Sequence, residues 1–222
     1  AKKKFNLNPY CFSIINEDDR YNESENINFL QKELDLDVHY IKIPKLKYED
    51  FLDKCRNLIK YRSSPIATIS YYIHSYISYH CAKKGFKVIF SGTGADEIFA
   101  GYYSHGLHFL KELENSNKFN EEFKMWKKNV LPHVRNPYLK NYKKFLEKDY
   151  FTNYIFTRTE AIDKVLKYKS LSKFKDKKFT IDSLRNRMLN ELYFETIPQI
   201  LNEDDQNHML SSVENRSPFL DV

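Results

Sequence analysis

The chain has 222 residues and 41% hydrophobic content, enough for one buried core, which excludes disorder as its general state. Its net charge of +6, from 36 basic and 30 acidic residues, is a weak argument for nucleic acid, and no apolar run approaches the roughly 20 residues of a membrane span. The opening Ala1-Lys2-Lys3-Lys4 leads into the mixed stretch FNLNPYCF, with no apolar segment ahead of a cleavage site, so the chain reads as cytoplasmic.

Three short, β-prone apolar stretches follow in chain order: PYCFSII ending at Ile15, DVHYIKI ending at Ile43, and KVIF from Lys87 to Phe90. Between the first two, Asn22 and Glu25 have capping-box spacing, and Ile27, Leu30 and Leu34 share one face of a helix of about three turns. Between the second and third, Ile66, Ile69, Ile73, Tyr76, Ile77 and Cys81 follow a helical period, with Lys83 and Lys84 at the negative end of the dipole and Gly85 as the stop. Strands separated by helices predict crossovers and a parallel sheet. After about Tyr102 the strand signals fade, and the rest reads as helices and short polar turns punctuated by Pro132, Pro137 and Pro198.

The stretch from Lys164 to Lys178 carries seven lysines and one acid. It reads as a solvated face; a nucleic-acid patch is the alternative, in which only Tyr168 and Phe174 offer rings for stacking. Cys11, Cys55 and Cys81 are odd in number and widely spaced, and read as reduced, mostly buried thiols.

All five glycines lie between Gly85 and Gly106. Ligands of open parallel sheets bind where a strand hands over to a helix at its carboxyl end. Val88-Ile89-Phe90 reads as such a strand, Asp96 to Tyr102 as such a helix, and Ser91 to Ala95 as the turn. Gly92 and Gly94 permit positive φ and close approach of a ligand, and the helix start offers free N–H groups to an anion, which suits a nucleotide. Asp96 and Glu97 in the first helical turn either complement the dipole or bind Mg²⁺; spacing alone does not choose. Neither a G-x-G-x-x-G nor a P-loop motif is present.

The run Ser91-Gly92-Thr93-Gly94-Ala95-Asp96-Glu97-Ile98-Phe99-Ala100-Gly101-Tyr102 resembles the S-G-E-G-A-D-E-(L/V/I)-F-G-G-Y motif of the asparagine synthetase family, in its ATP-using C-terminal domain. A second match lies far along the chain. Phe194-Glu195-Thr196-Ile197-Pro198-Gln199-Ile200-Leu201, then Asp205, Asn207 and Met209, then Ser212-Val213-Glu214-Asn215-Arg216-Ser217-Pro218-Phe219-Leu220-Asp221 are similar to H-E-T-L-P-Q-I-L, D-R-N-S-M-A and S-(I/V)-E-x-R-x-P-F-L-D. Weaker echoes are Phe12-Ser13-Ile14 with Tyr21-Asn22-Glu23-Ser24, and Ser64-Pro65-Ile66.

The resemblance implies an α/β parallel-sheet core of the adenine-nucleotide α-hydrolase type followed by a mainly helical half. Residues 1–222 would form one partial synthetase domain, α/β over about 1–105 and helical over about 106–222. It implies ATP and Mg²⁺, a carboxylate activated as its acyl-adenylate, and ammonia as the nucleophile that makes the amide. By resemblance Ile14, Ser91 and Gly92 border the adenine and ribose, Asp96 ligates Mg²⁺ on pyrophosphate, and Glu214 and Arg216 lie near the substrate pocket. The last two read equally as an ion pair tying a loop to the core, and Pro218, Phe219 and Leu220 as packing.

Relatives place an S-G-G-x-D-S pyrophosphate loop ahead of the point where this chain starts, a glutaminase domain further upstream, and a catalytic lysine beyond its end. The chain is therefore expected to be the middle of a longer enzyme, inactive alone, with an unpaired sheet edge. Thr93 stands where asparagine-forming relatives have a catalytic Glu, and threonine cannot carry charge near pH 7. Gln206 and Asn202 also replace usual basic residues. These changes leave the ATP chemistry in place and count against aspartate as the acceptor, although asparagine synthesis from aspartate stays the leading reading on the motifs as a whole. An amidotransferase or cyclase acting on another carboxylate is the first alternative, and a non-catalytic binding module the second. No membrane or nucleic-acid partner is expected, and the oligomeric state is open, a homodimer included.

His105 and His108 could hold a metal but lack a third ligand, so they read as partly exposed polar helix residues. His74 and His80 read as core or boundary residues, and Tyr71, Tyr72, Tyr76 and Tyr79 as a packing surface.

Overall fold

The computed structural model describes residues 2–15, 22–66, 68–147, 164, 167 and 176–221. Most of the lysine-rich stretch, with Tyr168 and Phe174, and also Tyr21, lie outside the described residues. The elements are a helical turn α1 (Lys2–Phe5), β1 (Tyr10–Ile15), α2 (Ser24–Leu34), β2 (Asp37–Lys42), α3 (Tyr48–Arg62), α4 (Ile69–Lys83), β3 (Val88–Phe90), α5 (Ala95–Phe99), α6 (Tyr103–Glu112), α7 (Phe119–Asn129), α8 (Tyr142–Phe145), α9 (Ser183–Tyr193), α10 (Thr196–Leu210) and β4 (Glu214–Arg216). Single 3₁₀ turns occupy Leu131–His133, Pro137–Leu139 and Pro218–Leu220. The chain divides into two compact units, one of residues 1–91 with 200–218, the other of residues 92–199 with 219–222.

In the first unit β1 and β2 run parallel, with Tyr10 opposite Asp37 and Ile15 opposite Lys42, and α2 makes the crossover. β3 pairs with β4, also parallel, with Val88 opposite Glu214 and Phe90 opposite Arg216. The expected parallel pairing is present, but among the described residues it forms two two-stranded sheets rather than one. Phe86, just ahead of β3, lies 5.2 Å from Tyr10 and 5.7 Å from Phe12, so the starts of β1 and β3 meet through aromatic rings. The second half is mainly helical as expected, with β4 as an unexpected strand: ENR has no apolar alternation, and pairing with β3 makes it one.

Several local features depart from the expected ones. Asn22 and Glu25 form no capping box; Glu23 is the N-cap of α2 without a side-chain bond, and Asn22 Oδ1 instead accepts from the Ser24 N–H at 3.1 Å. Ile27 and Leu34 are half-buried and Leu30 is exposed, so that face is only partly covered. α3 lacks a capping side chain at Lys47, yet Phe51, Leu52, Cys55 and Leu58 recur at helical spacing and turn one face inward, so this helix is an addition to the expected elements. α4 begins at Ile69, leaving Ile66 outside it. Its end matches expectation: Phe86 N–H bonds the Cys81 carbonyl at 3.0 Å and Gly85 N–H that of Ala82 at 2.9 Å, a Schellman closure in which Gly85 takes φ +85°. Pro198 does not separate helices but sits in the first turn of α10.

α10 is tied to α3 and α4 within this unit. Arg62 and Glu203 pair at 2.8 Å with side chains 3% and 2% exposed, and Asn207 donates to the Tyr71 carbonyl at 3.0 Å. Tyr71 and Tyr72 pack inward, as expected of that surface, whereas Tyr79 is exposed. His74 reaches Asp204 at 3.3 Å from a half-exposed position. The three cysteines are free, but only Cys81 is buried, where burial pushes its thiol up to about 11.

The second unit holds an apolar core of Leu107, Leu110, Trp126, Val134, Leu139, Tyr142 and Phe145. Phe119 and Phe123 from α7 cover it, stacked at 5.5 Å. Among the described residues no helix is long and apolar enough to cross a membrane.

Candidate active site

The glycine turn leaves β3 at its carboxyl end, as the strand–turn–helix pattern predicts. In the first unit, the Ser91 N–H bonds the Arg216 carbonyl at 2.9 Å, extending the β3–β4 ladder, and its hydroxyl meets that of Ser217 at 3.1 Å. Glu214 and Arg216, two apart on β4, project to one face and pair with each other at 2.8 Å, each more than half exposed. The Arg216 guanidinium holds the Glu214 carboxyl below the usual range. The expected Arg–Glu pair is present, and it sits on a strand rather than a loop. Ile14 lies half-buried near the carboxyl end of β1, opposite Ile41.

In the second unit the two glycines of the turn differ. Gly94 takes φ +95° as the N-cap of α5, and a Cβ there would come within 2.5 Å of Leu220 Cδ2. Gly92 has no positive φ, and a Cβ would meet nothing within 4 Å. The expectation of positive φ therefore holds for Gly94 alone. α5 starts at Ala95 and stops at Phe99, not Tyr102, and the Ala95 N–H is already bonded to the Gly92 carbonyl at 3.1 Å. Thr93 is half-buried. Leu220 against Gly94, and Phe219 edge-on to Phe99 at 5.7 Å, bear out the packing reading for those two residues, whereas Pro218 is exposed.

Asp96 and Glu97 diverge as neighbours on a helix must, about 100° apart around its axis. Asp96 is exposed, its carboxyl lying against Gly101, where a Cβ would come within 2.8 Å of Asp96 Cγ. Glu97 is 3% exposed and accepts the Tyr102 hydroxyl at 2.5 Å. Burial first, then this bond and the charges of Glu97, Asp96 and Glu191, push the Tyr102 phenol far above its ordinary value, so it remains a donor.

From Tyr102 the polar contacts continue inward. Its backbone N–H donates to His105 Nδ1 at 3.4 Å, leaving Nε2 to donate to Glu191 Oε2 at 2.6 Å. Glu191 Oε1 accepts from Arg187 Nε at 2.8 Å, and Arg187 also reaches Glu195 at 2.5 Å and Asp176 at 3.1 Å. The Arg187 side chain is 2% exposed. Its own burial pulls its pKa down, but Glu195, Glu191 and Asp176 outweigh that and hold it above the ordinary value. One guanidinium cannot compensate three carboxylates: burial pushes Glu195 and Asp176 up despite Arg187.

This chain joins Glu97 and Tyr102 of the first motif to Glu195 of the second through His105, Glu191 and Arg187, none of which the sequence patterns assigned a role. It corrects the reading of His105 and His108 as partly exposed: they are 1% and 6% exposed, His108 bonding Ser183 at 2.8 Å, with burial pushing its imidazole down to about 3. Their only sequence signal is the polar stripe they share on α6. Among the described residues no group of three or more His, Cys, Asp or Glu side chains could hold a metal ion.

Small parallel strand pairs among many helices, with a glycine turn leaving one carboxyl end, define a mixed α/β protein. The chain belongs to the asparagine synthase family, whose model matches residues 2–222. Family membership implies ATP-dependent amidation in general and a ligase-type enzyme. Neither the curated proteins nor the solved structures include a match.

Proposed function

We propose that the chain is the ATP-using synthetase part of a glutamine-dependent amidotransferase, activating a carboxylate as its acyl-adenylate for attack by ammonia. One observation carries the reading beyond family membership: Gly92 needs glycine neither for its backbone angle nor for packing. What remains is the close approach of a ligand at the carboxyl end of β3, where parallel sheets bind nucleotides.

Asp96 fits Mg²⁺ as a single exposed carboxylate beside that open turn. Mg²⁺ is usually held by one or two carboxylates, waters and substrate phosphates rather than by an all-protein cage, consistent with the lack of a larger ligand cluster among the described residues. Bound there, the metal would supply charge stabilisation for departing pyrophosphate. In the same reading Ser91, Gly92 and Ile14 border the nucleotide, Thr93 stands at the position that governs the acceptor, and Glu214 and Arg216 present an exposed ion pair for the acceptor carboxylate. The protein works in the cytoplasm on this reading.

Thr93 favours a second acceptor. Aspartate brings two carboxylates and an ammonium, and a neutral hydroxyl at position 93 lacks the charge that asparagine-forming relatives place there. ATP–pyrophosphate exchange by the intact protein, run with aspartate and a panel of sugar and peptide carboxylates, decides between them. Exchange with aspartate supports asparagine formation, exchange only with another acid moves the substrate, and no exchange with any acid sinks the enzymatic reading. Asp96→Asn and Gly92→Ala should each abolish most exchange while leaving the melting temperature unchanged.

A further inference from the structure

We infer that Tyr102 and His105 are positioning residues for Asp96, fixing through Glu97 and Glu191 how far α5 is turned about its own axis. The inference rests on the reading of Asp96 as the Mg²⁺ ligand. α5 has five residues, far too few to hold itself as an isolated helix, so its orientation comes from contacts outside it. Gly94 and Ala100 at its two ends both take left-handed backbone angles, so the helix is bounded by sharp bends and is not continued by a neighbouring turn on either side.

Between those ends, the one buried residue is Glu97. Its carboxylate is drawn inward by the Tyr102 hydroxyl, and a helix that turns Glu97 inward turns Asp96 toward solvent. Tyr102 is held in turn by His105, His105 by Glu191, and Glu191 by Arg187 on the rigid helix α9, which packs on both α5 and α6. Residues that orient a metal ligand from behind typically change metal affinity by about 10–100-fold when replaced; Tyr102 acts on Asp96 through Glu97, so its effect belongs at the low end. Tyr102→Phe removes the donor to Glu97 while preserving the ring, so Glu97 loses its reason to point inward and the direction of Asp96 is released.

The test is calorimetric titration of the intact protein with Mg-pyrophosphate, with the melting temperature followed in parallel. Tyr102→Phe should weaken binding by about tenfold and raise the Mg²⁺ concentration needed for half-saturation, at temperatures where the variant is fully folded. His105→Gln, which keeps an N–H for Glu191, should weaken it less. Tyr142→Phe is the control, a buried tyrosine of the same unit whose hydroxyl has no partner among the described residues. Asp96→Asn separates the two ideas. If Asp96→Asn loses binding while Tyr102→Phe binds like the wild type, the positioning role is overturned and the ligand role stands. If Tyr102→Phe and Tyr142→Phe weaken binding equally, the effect is general loosening and the role is likewise overturned. If Asp96→Asn binds normally, the ligand reading fails and takes the positioning role with it.

Discussion

Arg216 and Arg187 both sit beside carboxylates, and their surroundings give them opposite meanings. Arg216 pairs with Glu214 at 2.8 Å on an exposed strand, where water screens both charges and the pair adds little to stability. Arg187 is buried among Glu191, Glu195 and Asp176, where desolvation makes each unpaired charge expensive. An exposed pair lies within reach of solvent and contributes little to holding the fold. A buried cluster is committed to holding elements together, here α9 to the segment that begins at the glycine turn.

The sharpest way to break this comparison is Arg187→Ala. It strands Glu195 and Asp176, leaves Glu191 with His105 alone, and should cost about 3–5 kcal/mol in chemical denaturation of the intact protein; a loss under about 1 kcal/mol would show that the cluster is not the tie described. Next comes Gly94→Ala, which meets both positive φ and Leu220 and should cost more than about 1 kcal/mol, in contrast to a neutral Gly92→Ala. Ala100, a non-glycine residue at φ +57°, offers the reverse: Ala100→Gly should stabilise by about 1 kcal/mol, read as a raised denaturation midpoint.

A smaller effect is expected from pH. Glu195 and Asp176 are raised above their ordinary 4.5 and 3.8 by burial, so the folded protein holds their protons more tightly than the unfolded chain. The stability they contribute is complete below those ordinary values and is lost as pH rises through the higher folded ones. Glu195→Gln should therefore flatten the decline of stability on going up from about pH 4; an unchanged slope would remove Glu195 from the account. Smallest of all, Arg216→Ala should leave the denaturation midpoint where it is, and on the proposed reading should raise KM for the acceptor carboxylate with less effect on kcat.

How far the sequence reached can be followed residue by residue. β1, β2 and β3 and the stop at Gly85 were legible because local apolar runs and a left-handed glycine suffice to specify them. α3 was legible too, through Phe51, Leu52, Cys55 and Leu58 at helical spacing, but its caps carry no side-chain signal and it stayed outside the expected elements. β4 was not, because three polar residues become a strand only by pairing with β3. Of the candidate site, the turn through Ser91, Gly92 and Asp96 was legible from its glycines and carboxylates, whereas His105 passed for a partly exposed residue because a histidine on a helix carries no mark of burial.

The sequence alone determined the parallel α/β character, the position of the glycine turn and membership of the asparagine synthase family, since each rests on local propensity or on motifs contiguous in the chain. Only the tertiary structure decided that Gly94 bends the backbone while Gly92 leaves space, that Glu97 faces inward while Asp96 faces out, and that Arg187 gathers three carboxylates. Each of those depends on partners distant in sequence, and burial, which sets the cost of every charge, belongs to the packed chain rather than to any residue in it.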